Sequence, residues 1–136
     1  MKIIQNKWIN KFIPFPNFRA INLFGVLFVR GNARIDEVTV NHERIHTAQM
    51  KELLYIFFYL WYGVEWVVRM LQYRKVFQLA SSNSLWKGRK RFKEAFRKLN
   101  YMAYRNVSFE REAYQNERDL SYLDNRKRFE FLKYVA

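Results

Sequence analysis

The sequence predicts an α+β protein that is mostly helical, and three features carry this prediction. Ala20–Arg30 is short, rich in aromatic and β-branched residues, and ends at Gly31-Asn32, which is typical of a strand closed by a turn. From Asp36 onward no helix breaker occurs before Gly63. Amphipathic helical patterns fill the last third of the chain. One strand or hairpin followed by several helices is an α+β order.

The composition describes one folded domain with an excess of positive charge. Of the 136 residues, 50% are hydrophobic and 19% are aromatic, which excludes a disordered chain. The net charge is +13. Residues 1–68 carry 8 basic and 5 acidic side chains, whereas residues 69–136 carry 17 basic and 7 acidic ones. Such asymmetry indicates an anionic partner, either nucleic acid or a membrane face, with a merely solvated basic surface as the alternative.

The predicted single domain, 1–136, divides into four parts. Residues 1–19 form an arm with no secretory signal pattern, which favours the cytoplasm or the cytoplasmic face of a membrane. Residues 20–35 form a strand or hairpin. Residues 36–75 hold a helix capped by Asp36 and a hydrophobic helix, and residues 85–136 form a basic helical half.

The motif Asn41-His42-Glu43-Arg44-Ile45-His46 carries the strongest chemical signal. Its two histidines are the only histidines in the protein. Residues four apart lie on the same face of a helix, so both imidazoles can reach one metal ion. Glu43 follows the first histidine, where its carboxylate can accept a proton from a water that the metal activates. The alternative is an exposed helix that happens to carry two histidines.

A hydrolytic zinc site needs a third protein ligand. The chain has no cysteine and no third histidine, so this ligand must be a carboxylate. The stretch 109–117 is the best place for it, because Glu110, Ala113, Tyr114 and Glu117 share one helical face while Glu112 lies off that face.

These two motifs together resemble the gluzincin metallopeptidases, and in particular the group that includes the CAAX-prenyl endopeptidases and their bacterial relatives. The stretches N-H-E-x-x-H and F-E-R-E-A-Y also resemble those of small bacterial zincin-like proteins. The resemblance implies a minimal zincin fold in which His42, His46 and Glu110 bind zinc and Ala113 matches the family's alanine. Tyr114 stands where the family has an aspartate that orients a histidine ligand.

The function that follows is a zinc-dependent metallopeptidase with Glu43 as general base. Its substrate would be a peptide that pairs in extended form along the strand Ala20–Arg30. Oxyanion stabilisation needs a further donor, and the candidates are Tyr101, Tyr104 and Tyr114. Two other functions stay open. One is a catalytically inactive zinc-binding module, structural or membrane-associated; the other is a basic nucleic-acid-binding protein, although no nucleic-acid-binding motif is present.

The run Leu53–Leu71 has about the length of a membrane span. A single span there would place the two histidines and Glu110 on opposite sides of a bilayer, so a shared metal excludes it. The run is therefore expected to be a core helix or a helix at the membrane surface. Lys87–Leu99 is basic and amphipathic, and together with Leu53–Leu71 it predicts peripheral contact with an anionic membrane.

Overall fold

The computed structural model of the protein describes residues 1–12, 19–82 and 89–135. The prolines of the predicted arm and residues 85–88 of the predicted basic half lie outside these ranges. Its elements are, in chain order, β1 (Lys2–Asn6), α1 (Ile9–Phe12), β2 (Ala20–Leu23), β3 (Val26–Arg30), α2 (Glu37–Glu52), α3 (Ile56–Ser82), α4 (Arg89–Arg105), α5 (Ser108–Asn116), α6 (Tyr122–Asn125) and a 3-10 helix (Glu130–Tyr134). The α+β, mostly helical class is confirmed.

The three strands form one sheet in the order β1-β3-β2. β1 runs parallel to β3, with Lys2 opposite Val26, so the first residues of the predicted arm belong to the sheet. β2 runs antiparallel to β3, with Leu23 opposite Val26. Gly31 lets the chain that leaves β1 pass close by, because a Cβ there would lie 2.7 Å from the Lys7 nitrogen.

Residues 20–30 form a hairpin of β2 and β3 rather than one uninterrupted strand. The chain reverses at Phe24 and Gly25, whose φ angles are +52° and +79°. Such a turn fits the twist of the flanking strands. Tertiary contacts hold Phe24 in this conformation: its ring lies 5.4 Å from that of Tyr59, and its N–H donates to the Tyr59 hydroxyl at 3.1 Å.

Helix α2 begins as predicted, because the Asp36 carboxylate accepts the Thr39 N–H at 2.8 Å. The sequence has no helix breaker before Gly63, yet α2 ends at Glu52. The chain turns at Leu53–Tyr55, where Leu54 and Tyr55 have φ angles of +51° and +60°, and the axes of α2 and α3 differ by 110°. The Tyr55 N–H donates to the Met50 carbonyl at 2.7 Å, which satisfies the end of α2 without glycine.

The core lies where α2, α3, α5 and the 3-10 helix meet. It is built from large apolar side chains, namely Met50, Phe58, Val107, Phe109 and Phe131. Within the predicted basic helical half, the chain leaves the helix at Asn106-Val107, between α4 and α5. The physical reason is the buried carboxylate of Glu65, which accepts the Ser108 N–H at 2.9 Å and the Ser108 hydroxyl at 2.6 Å, and so satisfies the first turn of α5.

The hydrophobic run 53–71 forms the start of α3 and is not simply a core helix. Phe58 and Glu65 are buried, whereas the opposite side of the helix is exposed. Within the described ranges, no single helix is long and apolar enough to cross a membrane. Taken together, α2 and residues 56–75 are long and apolar enough to do so, but the two segments are bent by 110° relative to each other.

Candidate metal centre

Helices α2 and α5 bring His42, His46 and Glu110 together in a buried cluster. The two imidazole Nε2 atoms lie 3.0 Å apart. Glu110 Oε2 lies 3.5 Å from His42 Nε2, and Glu110 Oε1 lies 3.3 Å from His46 Nε2. All three residues are less than 10% exposed. The residues that the sequence marked as metal ligands therefore meet at one point in the fold.

The outer nitrogens of both imidazoles face hydrogen-bond acceptors. His42 Nδ1 lies 2.9 Å from Glu117 Oε2, and His46 Nδ1 lies 2.8 Å from Gln49 Oε1. The Gln49 amide is oriented by its NH2 group, which donates to the Phe109 carbonyl at 3.2 Å and to Glu112 Oε2 at 3.1 Å. When the two imidazoles are neutral, these acceptors place the proton on each Nδ1 and leave the Nε2 lone pairs facing the cluster.

Two lone pairs and a carboxylate that face one another are stabilised by a cation between them, either a proton or a metal ion. Tetrahedral zinc with bonds of about 2.0–2.1 Å holds its ligand atoms about 3.3 Å apart. The observed separations of 3.0, 3.3 and 3.5 Å, the last two to different oxygens of Glu110, are close to this spacing. Glu110 Oε2 is also buried and has no hydrogen-bond partner among the described residues. The donor set fits a metal ion of this kind.

The electrostatics of the cluster favour positive charge. Burial alone would lower the pKa of His46, but the Glu110 carboxylate outweighs it and raises the pKa to about 9. Burial likewise opposes ionisation of Glu110, yet the two histidines hold its pKa well below the usual range. Without a metal the site therefore holds a proton, and a divalent ion would compete with that proton.

Glu43 is half-buried on α2 beside the cluster. Its negative charge contributes to the raised pKa values of His46 and Tyr62, so the carboxylate lies within electrostatic range of both side chains. Its backbone carbonyl accepts the Asn22 side-chain amide at 2.8 Å, and Asn22 also donates to the Thr47 hydroxyl at 3.1 Å. These contacts fix β2 against the first half of α2.

The resemblance predicts an aspartate at position 114 that would orient a histidine ligand, but here the residues beside His42 are Tyr114 and Glu117. The Tyr114 ring packs edge-on against the His42 ring at 4.5 Å and makes no hydrogen bond to its nitrogen that the structure records. The carboxylate that orients His42 comes from Glu117, one turn further along the chain. The sequence places Glu117 on the same helical face as Glu110, but no role was predicted for it. This shared face is the feature of the sequence that could have indicated its role.

The tyrosine nearest to the ligands, Tyr62, was missed by sequence reasoning. Its hydroxyl donates to Glu110 Oε1 at 3.0 Å, and burial together with that carboxylate raises its pKa. Tyr104 lies behind it, with the rings 6.5 Å apart, and shares a hydrogen bond with Tyr114. Tyr101, by contrast, is 60% exposed on α4, and no recorded contact joins it to the cluster. Tyr62 sits in an apolar run that gives no sign of a polar role.

A second layer of ion pairs fixes α5 against α2. The fully buried Glu112 accepts from Arg126, Gln49 and the Tyr122 hydroxyl, and Arg126 also pairs with Glu52 at the end of α2. Because Gln49 orients His46, this network connects the position of an imidazole to the packing of the two helices.

Comparisons with protein-family models, with curated proteins and with solved structures found no match for this chain. The likeness to gluzincins therefore depends on the two motifs and on the cluster that they form.

Proposed function

We propose that the protein is a zinc-dependent hydrolase of peptide bonds. One observation carries this proposal: two imidazole nitrogens and one carboxylate, each on a buried and oriented side chain, lie 3.0–3.5 Å from one another. Three protein ligands of the type His, His and Glu are characteristic of catalytic zinc, which keeps its fourth position for a water or a substrate.

Zinc supplies Lewis-acid chemistry in such a site, since it acidifies a water and polarises a carbonyl group. Glu43 would act as general base, because it follows the first ligand on α2 and its charge contributes to the raised pKa of His46. It would accept the proton of the attacking water and return it to the nitrogen of the leaving amine. Glu117 and Gln49 keep the imidazoles in the tautomer whose Nε2 binds the metal.

Hydrogen-bond donors for a developing oxyanion are available beside the ligands. Tyr104 has a raised pKa because of burial and the Glu110 carboxylate, so its hydroxyl remains protonated at neutral pH. The single hydroxyl hydrogen of Tyr62 is donated to Glu110 Oε1. Tyr114 has a raised pKa for the same two reasons and lies against His42. A phenol that stays protonated can donate to a substrate oxygen, which supports a tyrosine in this role.

Strand β2 supports an extended peptide as the substrate. It stands at one edge of the sheet, with a strand partner on one side only within the described part of the chain. Asn22 ties this strand to the Glu43 carbonyl. A peptide that adds to an unpaired edge gains main-chain hydrogen bonds without a sequence requirement. Such pairing would lay a scissile bond beside Glu43.

The experiment compares zinc content and peptide hydrolysis in wild type, Glu43→Gln and Glu37→Gln, the last being an exposed glutamate of the same helix. Glu43→Gln should keep zinc and lose at least about a hundredfold in kcat. Glu37→Gln should behave like wild type. Zinc that binds in wild type without any hydrolysis would instead identify a non-catalytic zinc module. Hydrolysis that survives Glu43→Gln would exclude Glu43 as the base.

A further inference from the structure

Helix α3 carries an exposed apolar stripe on the side that faces away from the metal centre. Its members recur three and four residues apart over four turns, and all are large apolar side chains: Ile56, Phe57, Leu60, Trp61, Val64, Val67, Val68 and Leu71. Val64 is 66% exposed and Leu71 59% exposed. A run of this length on one face of a helix is more apolar surface than a soluble monomer usually presents.

Basic side chains border the stripe. Arg74 and Lys75 are exposed and follow Leu71 by three and four residues, so they continue the same face of α3. Helix α4 packs on the Trp66 side of α3, away from the stripe, where the Trp66 indole donates to the Asn100 side chain at 3.0 Å. Its exposed Lys93, Arg97 and Lys98 add to the positive charge of this half of the molecule. An apolar face with cations along its border is the pattern of a helix that lies in a membrane interface.

We propose that this face docks the protein on an anionic lipid bilayer, with the α3 stripe in the interface and the bordering cations on the lipid headgroups. Charge complementarity selects this partner. Two copies of the chain would each bring a net charge of +13 to a shared interface, whereas an anionic membrane attracts that charge.

The geometry leaves the metal centre free when the stripe is docked. Phe58 and Tyr62 occupy the opposite side of α3, where they face His46 and Glu110. A groove of about 700 Å³ runs along the stripe, lined by Phe57, Leu60, Trp61, Val64 and Val68, and reaches Val135. The apolar docking surface therefore includes Val135.

The first test is flotation of the protein with two kinds of vesicle, phosphatidylcholine alone and phosphatidylcholine with phosphatidylglycerol. The protein should float with the anionic vesicles and stay unbound with the neutral ones. Its partition coefficient should fall steeply as salt is added, because screening weakens the contribution of the cations. Equal binding to both vesicles, or no binding to either, would overturn the proposal.

Two pairs of variants distinguish binding through the stripe from non-specific binding to the vesicles. Leu60→Glu should lower the partition coefficient at least about tenfold, because a carboxylate is costly in the interface. Leu120→Glu changes a comparably exposed leucine outside the stripe and should bind like wild type. Arg74→Gln with Lys75→Gln should weaken binding, whereas Lys2→Gln with Lys7→Gln, at strand β1, should not. Identical behaviour within each pair would contradict docking through this face.

Sedimentation velocity tests whether the stripe binds a second copy of the chain rather than a membrane. The wild type should sediment as a monomer in the absence of lipid. A stable dimer that Leu60→Glu dissociates would assign the stripe to self-association and overturn membrane docking. The Glu43→Gln variant should float like wild type, so loss of hydrolysis and loss of docking are distinguishable.

Discussion

At the scale of single residues, the environment of His42 decides whether the cluster is oriented for metal binding. Family patterns place an aspartate at the position of Tyr114, and this chain uses Glu117 instead, at 2.9 Å from His42 Nδ1. Carboxylates that accept from the outer nitrogen of a ligand histidine fix its tautomer and raise its basicity. His42 therefore has an orienting carboxylate even though position 114 is a tyrosine.

Substitution of Glu117 tests this role. Glu117→Ala should raise the zinc dissociation constant by about 10- to 100-fold, because His42 loses the acceptor that orients it. Glu117→Gln should recover part of that affinity, since an amide oxygen still accepts from Nδ1. Competition with a chromophoric chelator measures both constants. Equal affinity in wild type and Glu117→Ala would show that Glu117 does not position the ligand.

Zinc affinity should also depend on pH through His46. The Glu110 carboxylate raises the pKa of this imidazole to about 9 against the cost of burial, so the metal-free site holds a proton at neutral pH. Zinc must displace that proton, and its affinity should rise by about tenfold per pH unit as the pH approaches 9 and level off above it. Chelator competition at several pH values measures the slope. An affinity that stays constant between pH 6 and 8 would contradict it.

At the scale of elements, the turn between α2 and α3 sets the position of the site. It brings α3 back across α2 at 110°, and this crossing carries Phe58 and Tyr62 to His46 and Glu110. The turn contains neither glycine nor proline, although Leu54 and Tyr55 adopt the left-handed conformation. Long-range packing holds it, since the Tyr55 ring lies 6.1 Å from that of Phe24.

Leu54→Gly should stabilise the protein, because Leu54 is 69% exposed and its φ of +51° costs a leucine about 1 kcal/mol that glycine does not incur. Urea denaturation of metal-free protein measures the change in the free energy of unfolding. Lys51→Gly, in the helical last turn of α2, is the matched control and should destabilise by about 0.5–1 kcal/mol. A loss of stability in Leu54→Gly would refute the expected relief of strain.

The sequence predicts elements better than it predicts their breaks. Local signals were sufficient for the cap at Asp36 and for the helical spacing of the two histidines, whereas Glu110 was chosen through the resemblance to gluzincins. They were not sufficient for the turns at Phe24 and Leu54, which depend on aromatic contacts across the chain. The role of Tyr62 could not be predicted for the same reason. Its neighbours in the sequence are apolar, and it contacts Glu110 only because α3 folds back across α2.

At the scale of the whole molecule, the metal centre joins the middle of the chain to its C-terminal part. His42 and His46 belong to α2, whereas Glu110 belongs to α5 and Glu117 follows directly as the C-cap of that helix. A ligand that binds only the folded protein stabilises it by RT ln(1 + [L]/Kd). Zinc should therefore act as a crosslink between these two helices.

Thermal unfolding measures this stabilisation. At a free zinc concentration of about 100 times Kd, the protein should gain about 2.7 kcal/mol in the free energy of unfolding. His46→Ala should abolish the zinc-dependent gain whatever its own stability, whereas Glu94→Gln, an exposed glutamate of α4, should retain it. A gain of similar size in His46→Ala would place the zinc elsewhere on the molecule.

X-ray absorption at the zinc K edge tests the metal centre most directly. Protein dialysed against buffer after loading with one equivalent of zinc should show nitrogen and oxygen ligands at about 2.0–2.1 Å, with the multiple scattering of two imidazoles. Glu110→Gln should alter the oxygen contribution and weaken retention of the metal. A wild-type spectrum without imidazole scattering, or protein that keeps no zinc, would contradict the His42, His46 and Glu110 site.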